Sequence, residues 1–403
     1  MTAEQNALVA TAQAHLYPNY KQPPIVLVRG RGTEVWDLAG QRYLDMVAGI
    51  AVCSLGHAHP RLVAALSEQA GRLLQVSNYF YNEPNVRLAE RLCCVTGLGR
   101  ALFCNSGTEA IEATLKLARR HYFQRGETER YRIVAFHNSF HGRTLGSLAV
   151  TGQSKYRDGF GPLSGVTHVP YGDLAAVEAA MGADVAGILY EPIQGEGGVV
   201  IPPSGFLPGL RAIADRHGAL LLADEVQTGV GRTGRFLASE HDGVLPDAVA
   251  LAKGLGGGVP IGVMLCRAEL ADALPPGSHG STFAGNPLAS TAALTVLEVL
   301  ESEQLVSRAS RLGQELGEML SGLVTRHPAE LEAARGRGLL WALVLRESVD
   351  TRQLLTLLRD AGLLVSMAGD RALRLAPPLT VGREDLAAAV GILDQVLGQL
   401  AER

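Results

Sequence analysis

The sequence predicts an α/β protein with a mostly parallel central sheet in a large domain and a smaller α+β domain after it. Three observations carry this. Between about residues 60 and 280, short apolar runs alternate with segments of helical spacing. The apolar runs are continuous rather than alternating, which is how strands covered by helices on both faces read. From Leu288 onward the texture changes to long helical stretches and short strands. The boundaries follow: residues 1–60 as an N-terminal segment contributing to the small domain, 61–287 as the large domain, 288–403 as the C-terminal small domain.

The elements can be taken in order. Residues 1–50 read as irregular, apart from short strands at Ile25–Val28 and Glu34–Asp37 joined by a turn at Gly30 and Gly32. Helical spacing marks Arg61–Leu74 and Asn85–Cys94. A strand at Ala101–Cys104 then runs into a helix at Thr108–Tyr122, with Ile111, Leu115 and Ala118 on its apolar face. Further buried strands are predicted at Arg132–Phe136, Gly187–Tyr190, Ala219–Ala223, Ala248–Ala252 and Ile261–Cys266. Beyond them come a helical stretch over 289–323, a strand at Leu339–Leu345 and a helix at Thr351–Ala361. Strands at Leu363–Met367 and Ala372–Leu375 and a last helix at Arg383–Leu400 complete the chain.

Composition narrows the function. At 403 residues, 47% hydrophobic and 19% charged, the chain can bury a sizeable core. Lys and Arg number 36 against 40 Asp and Glu, a net charge of −4. No basic excess points to nucleic acid or an anionic membrane. Five cysteines without a C-x-x-C read as thiols in a reducing cytoplasm rather than a disulfide framework or zinc cage. Neither a secretory signal nor a spanning apolar stretch is visible, so a cytoplasmic protein is expected. Glycine is abundant, 47 residues, as in enzymes whose backbone closes on phosphate groups.

No Gly-Lys dipeptide, H-E-x-x-H or G-x-S-x-G occurs. Gly229-Val230-Gly231-Arg232-Thr233-Gly234 matches a dinucleotide fingerprint in spelling only, because no long helix follows it. His57 and His59 lack an acidic or cysteine partner nearby in the sequence, so no metal is expected there.

Three strand ends carry the chemistry. Cys104-Asn105-Ser106-Gly107-Thr108-Glu109 takes a strand into a helix start, whose free N–H groups and hydroxyls suit a phosphate; an ordinary helix cap would look the same. Asp224 ends the wholly apolar Leu220–Ala223, where a carboxylate needs a cation or a cap. Lys253 ends another apolar run before the glycine-rich 254–258, where desolvation would make its amine a nucleophile. Asp224 and Lys253 stand one strand–helix–strand step apart, so neighbouring strand ends are expected. Phosphate cup, buried carboxylate and buried lysine together are what pyridoxal 5'-phosphate requires.

The chain also resembles the subgroup III, ornithine-type aminotransferases of pyridoxal phosphate fold-type I. The likeness runs through Leu55-Gly56-His57-Ala58-His59-Pro60, Asn105–Ala110, Ser139–Thr144, Glu191–Gly198, Asp224–Gly229 and Ser281–Leu288. Ala48–Val52 and Ser77–Pro84 tilt it toward the acetylornithine branch; Cys53-Ser54 departs from the pattern, at what should be the substrate mouth.

The resemblance implies roles. Lys253 would form the Schiff base and shuttle the proton, and Asp224 would hold the pyridine nitrogen. Gln227 would meet the phenolic oxygen and Phe140 would stack on the ring, with Glu225 and Val226 completing the cofactor wall. Ser106, Gly107 and Thr108 would bind phosphate, joined by Thr282 from the other subunit of a homodimer with shared sites. Arg143 would grip the distant carboxylate of N-acetylornithine, and Arg374 that of glutamate or 2-oxoglutarate. Glu196 would pair with Arg374 in between, and Ser281 would border the substrate. His141, beside Phe140, is expected only to pack in the core or lie at the surface. The activity implied is transfer of the terminal amino group of N-acetylornithine to 2-oxoglutarate, a step of arginine biosynthesis. Succinylornithine, succinyldiaminopimelate, ornithine and 4-aminobutyrate remain alternative donors. A nucleotide-dependent oxidoreductase is the distant rival.

Overall fold

The computed structural model describes residues 2–401. Its centre is a seven-stranded sheet in the order Arg100–Cys104, Gly262–Cys266, Ala248–Leu251, Leu220–Asp224, Val185–Tyr190, Arg132–Phe136, Val166–Val169. Gly262–Cys266 runs antiparallel to both its neighbours, and every other pairing is parallel. The two reversals cancel. Arg100–Cys104 therefore points the same way as Leu220–Asp224 and Ala248–Leu251, and their carboxyl ends gather at one edge. Ligands of open α/β sheets bind at that edge.

Every residue of Val185–Tyr190, Leu220–Asp224, Ala248–Leu251 and Gly262–Cys266 is buried. This is the physical content of their unbroken apolar spelling. Val166–Val169 was not expected as a strand. It is a half-buried edge strand, and Thr167 and His168 break its apolar run.

Two smaller sheets flank the large one. In the first, Leu27–Arg31, Glu34–Asp37 and Arg42–Asp45 form a meander, and Leu363–Leu364 joins parallel to Arg42–Asp45. The N-terminal segment thus shares a sheet with the C-terminal part of the chain. In the second, Leu331–Arg337, Leu340–Leu345, Ala372–Leu375 and Ser366–Ala368 are all antiparallel.

Two expectations are corrected. Residues 1–50 are not irregular: a helix spans Ala3–His15, capped by the Thr2 hydroxyl, which accepts from Gln5 N at 3.2 Å. It has no apolar stripe and buries only Gln5, so periodicity could not reveal it. The helical stretch over 289–323 is two helices, Pro287–Ser302 and Leu305–Arg326, broken at Gln304 with φ of +50°. The first packs on Pro60–Ala70 and Glu83–Thr96, the second mainly on Leu331–Arg337. Each needs its own direction, hence the break.

Candidate active site

Asp224 pairs in register with Ala250, so the following turn brings Lys253 up beside the end of the Asp224 strand. Ser106, Gly107, Thr108, Phe140, Asp224 and Lys253 all line one cavity of about 430 Å³, together with Arg143, Glu196, Val226 and Gln227.

Lys253 sits at φ of +43°, a left-handed conformation that costs a non-glycine residue energy and persists where the surroundings hold it. One constraint is visible: the Ser54 hydroxyl donates to the Gly254 carbonyl at 2.7 Å. Ser54 is buried, so the Cys53-Ser54 departure bears on the lysine turn, not only on the substrate mouth as expected. Burial lowers the Lys253 pKa, against an opposing pull from Glu196. Desolvation disfavours the charged ammonium and so favours the neutral amine.

Asp224 is held twice. Its Oδ1 accepts from Val226 N at 3.0 Å, and its Oδ2 lies 2.7 Å from His141 Nδ1. His141 therefore does more than pack in the core. It is fully buried against the carboxylate, its backbone N donates to Thr151 Oγ1 at 3.0 Å, and its Nε2 is buried without a partner. The signal available in the sequence was an imidazole next to the aromatic Phe140, close to a buried carboxylate only once the sheet had formed.

The helix Gly107–Gln124 starts at the same edge. Ser106 caps it, its hydroxyl accepting from Glu109 N at 3.4 Å. Gly107 is required by space: a Cβ there would stand 2.7 Å from Val226 Cγ1. The Thr108 hydroxyl is placed differently from the expectation of a phosphate ligand. It is engaged by Ser147 Oγ at 2.7 Å and Thr144 Oγ1 at 3.0 Å, which leaves backbone N–H groups for an anion.

Glu225 is a clearer correction. Its carboxylate turns away from the cavity and accepts from Thr228 Oγ1, Ala238 N, Ser239 N and Ser239 Oγ at 2.7–2.8 Å. Burial raises its pKa even so. It pins the loop after Asp224 rather than facing a cofactor.

Glu191 follows the strand Val185–Tyr190, level with Asp224 on the neighbouring strand, and the sequence carries no separate sign of its role. It accepts from Phe140 N at 3.2 Å and Gly195 N at 3.3 Å. Burial, with the negative Asp224 nearby, pushes its pKa well up.

Arg374 is buried and forms an ion pair with Glu196. Gln227 bridges them, Nε2 donating to Glu196 at 3.1 Å and Oε1 accepting from Arg374 at 3.2 Å. Burial favours protonated Glu196, but Arg374 and Lys253 outweigh it and hold the carboxyl below its usual range. Arg143 is exposed, with no carboxylate within 4 Å among the described residues. His57 lies 2.8 Å from Asp45 Oδ2, so it does have an acidic partner, one distant in sequence.

Ser281 and Thr282 do not line this cavity. They border a second one of about 1,050 Å³, beside Tyr79, Phe80 and Tyr81. Ser281 Oγ accepts from Asn105 Nδ2 at 2.8 Å, so only a side chain separates the two cavities. The glycine-rich Gly229–Gly234 opens no helix. Arg232 is buried there, donating to Leu339 O at 3.0 Å and Pro377 O at 2.5 Å, and ties the loop to the C-terminal part of the chain.

A cup of backbone donors opened by Gly107, a buried carboxylate and a desolvated amine around one cavity suit pyridoxal phosphate. So do Phe140 and Val226 in the same wall. The chain belongs to the class-III aminotransferases, whose family model matches residues 16–397. It is 51% identical over 383 residues to an acetylornithine aminotransferase of Myxococcus xanthus, covering 94% of this chain and 95% of that one. It is 47% identical to the acetylornithine aminotransferase of Mycolicibacterium smegmatis, covering 97% and 98%. In structure it is similar to an ornithine aminotransferase of Toxoplasma gondii reported with pyridoxal phosphate at its active site, with a TM-score of 0.96 and 35% identity. That match covers 99% of this chain and 95% of that one. No helix among the described residues is long and apolar enough to cross a membrane.

Proposed function

We propose that this chain moves the terminal amino group of N-acetylornithine to 2-oxoglutarate, giving N-acetylglutamate semialdehyde and glutamate, as a step of arginine biosynthesis. The observation that carries the reading is a pair of unlike arginines, Arg143 lining the cavity and Arg374 behind the lining residues Glu196 and Gln227. Arg374 is buried and neutralised by Glu196, whereas Arg143 stands exposed on the cavity wall without a carboxylate. A donor whose carboxylate lies far from its reacting amine needs the second. An acceptor whose carboxylate is next to its carbonyl needs the first.

Pyridoxal phosphate, when bound, would supply an aldehyde that carries the amino group and a ring that takes up electrons. The chain does the rest. Lys253, desolvated, holds and moves the proton at Nζ. Asp224, oriented by His141, would present its carboxylate to the ring nitrogen. Phe140 and Val226 would hold the ring faces, and the backbone at Gly107 and Thr108 would hold the phosphate. When 2-oxoglutarate enters, its carboxylate takes Arg374 from Glu196, a bidentate exchange that lysine could not make.

The homodimer is part of this reading. Tyr79, Phe80, Tyr81 and Phe283 are 92%, 71%, 97% and 64% exposed beside Thr282, and aromatics so clustered call for a covering surface. A second copy would cover them and bring Thr282 to its neighbour's phosphate. A cytoplasmic location accords with five unpaired thiols.

An amine-donor panel with 2-oxoglutarate tests the function. N-acetylornithine should give the highest kcat/KM; a higher value for succinylornithine, succinyldiaminopimelate, ornithine or 4-aminobutyrate would overturn the assignment.

A further inference from the structure

Arg143 has no side-chain hydrogen bond and no ion pair among the described residues, yet it is not loose. Its guanidinium carbon lies 3.8 Å from the ring centroid of Tyr156, on the short helix Ser154–Arg157. The same Tyr156 ring stands edge-on to Phe140, centroids 5.8 Å apart at 85°. Arg143 is also 5.5 Å from the Phe140 centroid. A guanidinium held through its flat face keeps its N–H groups free at the edge, where a carboxylate binds in a bidentate fashion. Lys155 lies 5.3 Å from the Tyr156 ring but is drawn toward Asp370 at 3.4 Å, so Arg143 is the closer cation. The Tyr156 hydroxyl makes no hydrogen bond among the described residues, so the aromatic face is what it contributes.

We infer that Tyr156 is a positioning residue that fixes Arg143 relative to Phe140, and that this aromatic link selects amine donors by the distance from amine to carboxylate. The inference rests on the proposed function for its choice of donor. Phe140 sits in the cofactor wall, Tyr156 abuts Phe140, and Arg143 lies on Tyr156. A donor that reaches from the cofactor to Arg143 binds both ends at once. One lacking the far carboxylate leaves the cation unused.

The test is Tyr156→Leu beside Tyr156→Phe, with each half-reaction followed separately by single-turnover absorbance. Tyr156→Leu should raise the KM for N-acetylornithine about threefold to fivefold, as loss of a cation–π contact to an exposed guanidinium does, and alter kcat far less. Tyr156→Phe should retain the wild-type KM to within about twofold, and in Tyr156→Leu the 2-oxoglutarate half-reaction should change by no more than that. An unchanged KM in Tyr156→Leu, a Phe variant as impaired as the Leu variant, or equal losses in both half-reactions would each overturn the inference. Were the wild type to reject N-acetylornithine, the proposed function would fall, and Tyr156 would be judged on another pair. The ratio of kcat/KM for 5-aminopentanoate over pentylamine should then be high in the wild type and collapse in Tyr156→Leu. A ratio near one in the wild type, or one that survives the substitution, would sink it.

Discussion

Half-buried Lys253 faces the carboxylates of Glu196, Asp224 and Glu191 and the repelling Arg374, yet desolvation outweighs them and sets the sign of its shift. Its neutral form is therefore available below the 10.5 of an ordinary lysine. Lys253→Ala should slow the amine half-reaction by at least the ~10²–10⁴ that general acid–base catalysis contributes, while phosphate contacts keep the cofactor bound. Single-turnover absorbance with added and omitted free amine checks this. Arg374→Ala should lower kcat/KM for 2-oxoglutarate about tenfold to a hundredfold, with much less effect on N-acetylornithine, since each charge-assisted bond is worth roughly 1.5–3 kcal/mol. The same measurement on Arg143→Ala should show the reverse. Glu196 gives a stability prediction. Its carboxyl is held below the usual range in the folded chain, so the pair contributes fully above the unfolded pKa of about 4.3 and is lost as pH falls through the folded value. Glu196→Ala strands the buried Arg374 and should cost about 3–5 kcal/mol at pH 7. Urea titrations of variant and wild type should differ most at neutral pH and converge as pH falls from the unfolded pKa through the depressed folded one.

The helix beginning at Gly107 and the strand Gly262–Cys266 are locked together at the site. Gly262 pairs with Cys104, and a Cβ on it would stand 2.2 Å from the Ser106 carbonyl oxygen. The obstacle is backbone, which cannot swing aside as a side chain can. Gly262→Ala should thus push the phosphate cup off its strand, costing roughly 1–3 kcal/mol. It should also weaken retention of pyridoxal phosphate, measured by cofactor titration of the apo-protein. Wild-type affinity in that variant would show the cup to be more pliable than the packing implies. Elements of this kind were readable from spelling where both faces are buried, as in Leu220–Asp224 and Ala248–Leu251. Val166–Val169 and Ala3–His15 were not, because an edge strand and an exposed helix need no apolar signature.

The whole molecule leaves Tyr79, Phe80, Tyr81 and Phe283 open to water around the cavity that holds Thr282. If the proposed dimer forms through them, a double substitution, Phe80→Asp with Phe283→Asp, should shift it to monomer in sedimentation velocity. Activity should fall in parallel, because the neighbour's Thr282 would no longer reach the phosphate. A variant that stays dimeric, or a fully active monomer, would count against shared sites.

Residue order was enough to place Ser106, Gly107, Asp224 and Lys253 at strand ends, because a polar group that closes a wholly apolar run must lie at the sheet's edge. It was enough, too, for the innermost strands of the large sheet, whose continuous apolar runs follow from burial on both faces. It could not show that His141 orients Asp224, that Ser54 holds the lysine turn, or that Glu225 faces away from the cavity. Nor could it show that Tyr156 lies under Arg143. These are relations between side chains brought together from separate parts of the sheet edge and its loops. Side-chain direction there is set by which donors remain unpaired after the backbone has been satisfied. That competition is settled by packing in three dimensions, and no local pattern of residues records its outcome.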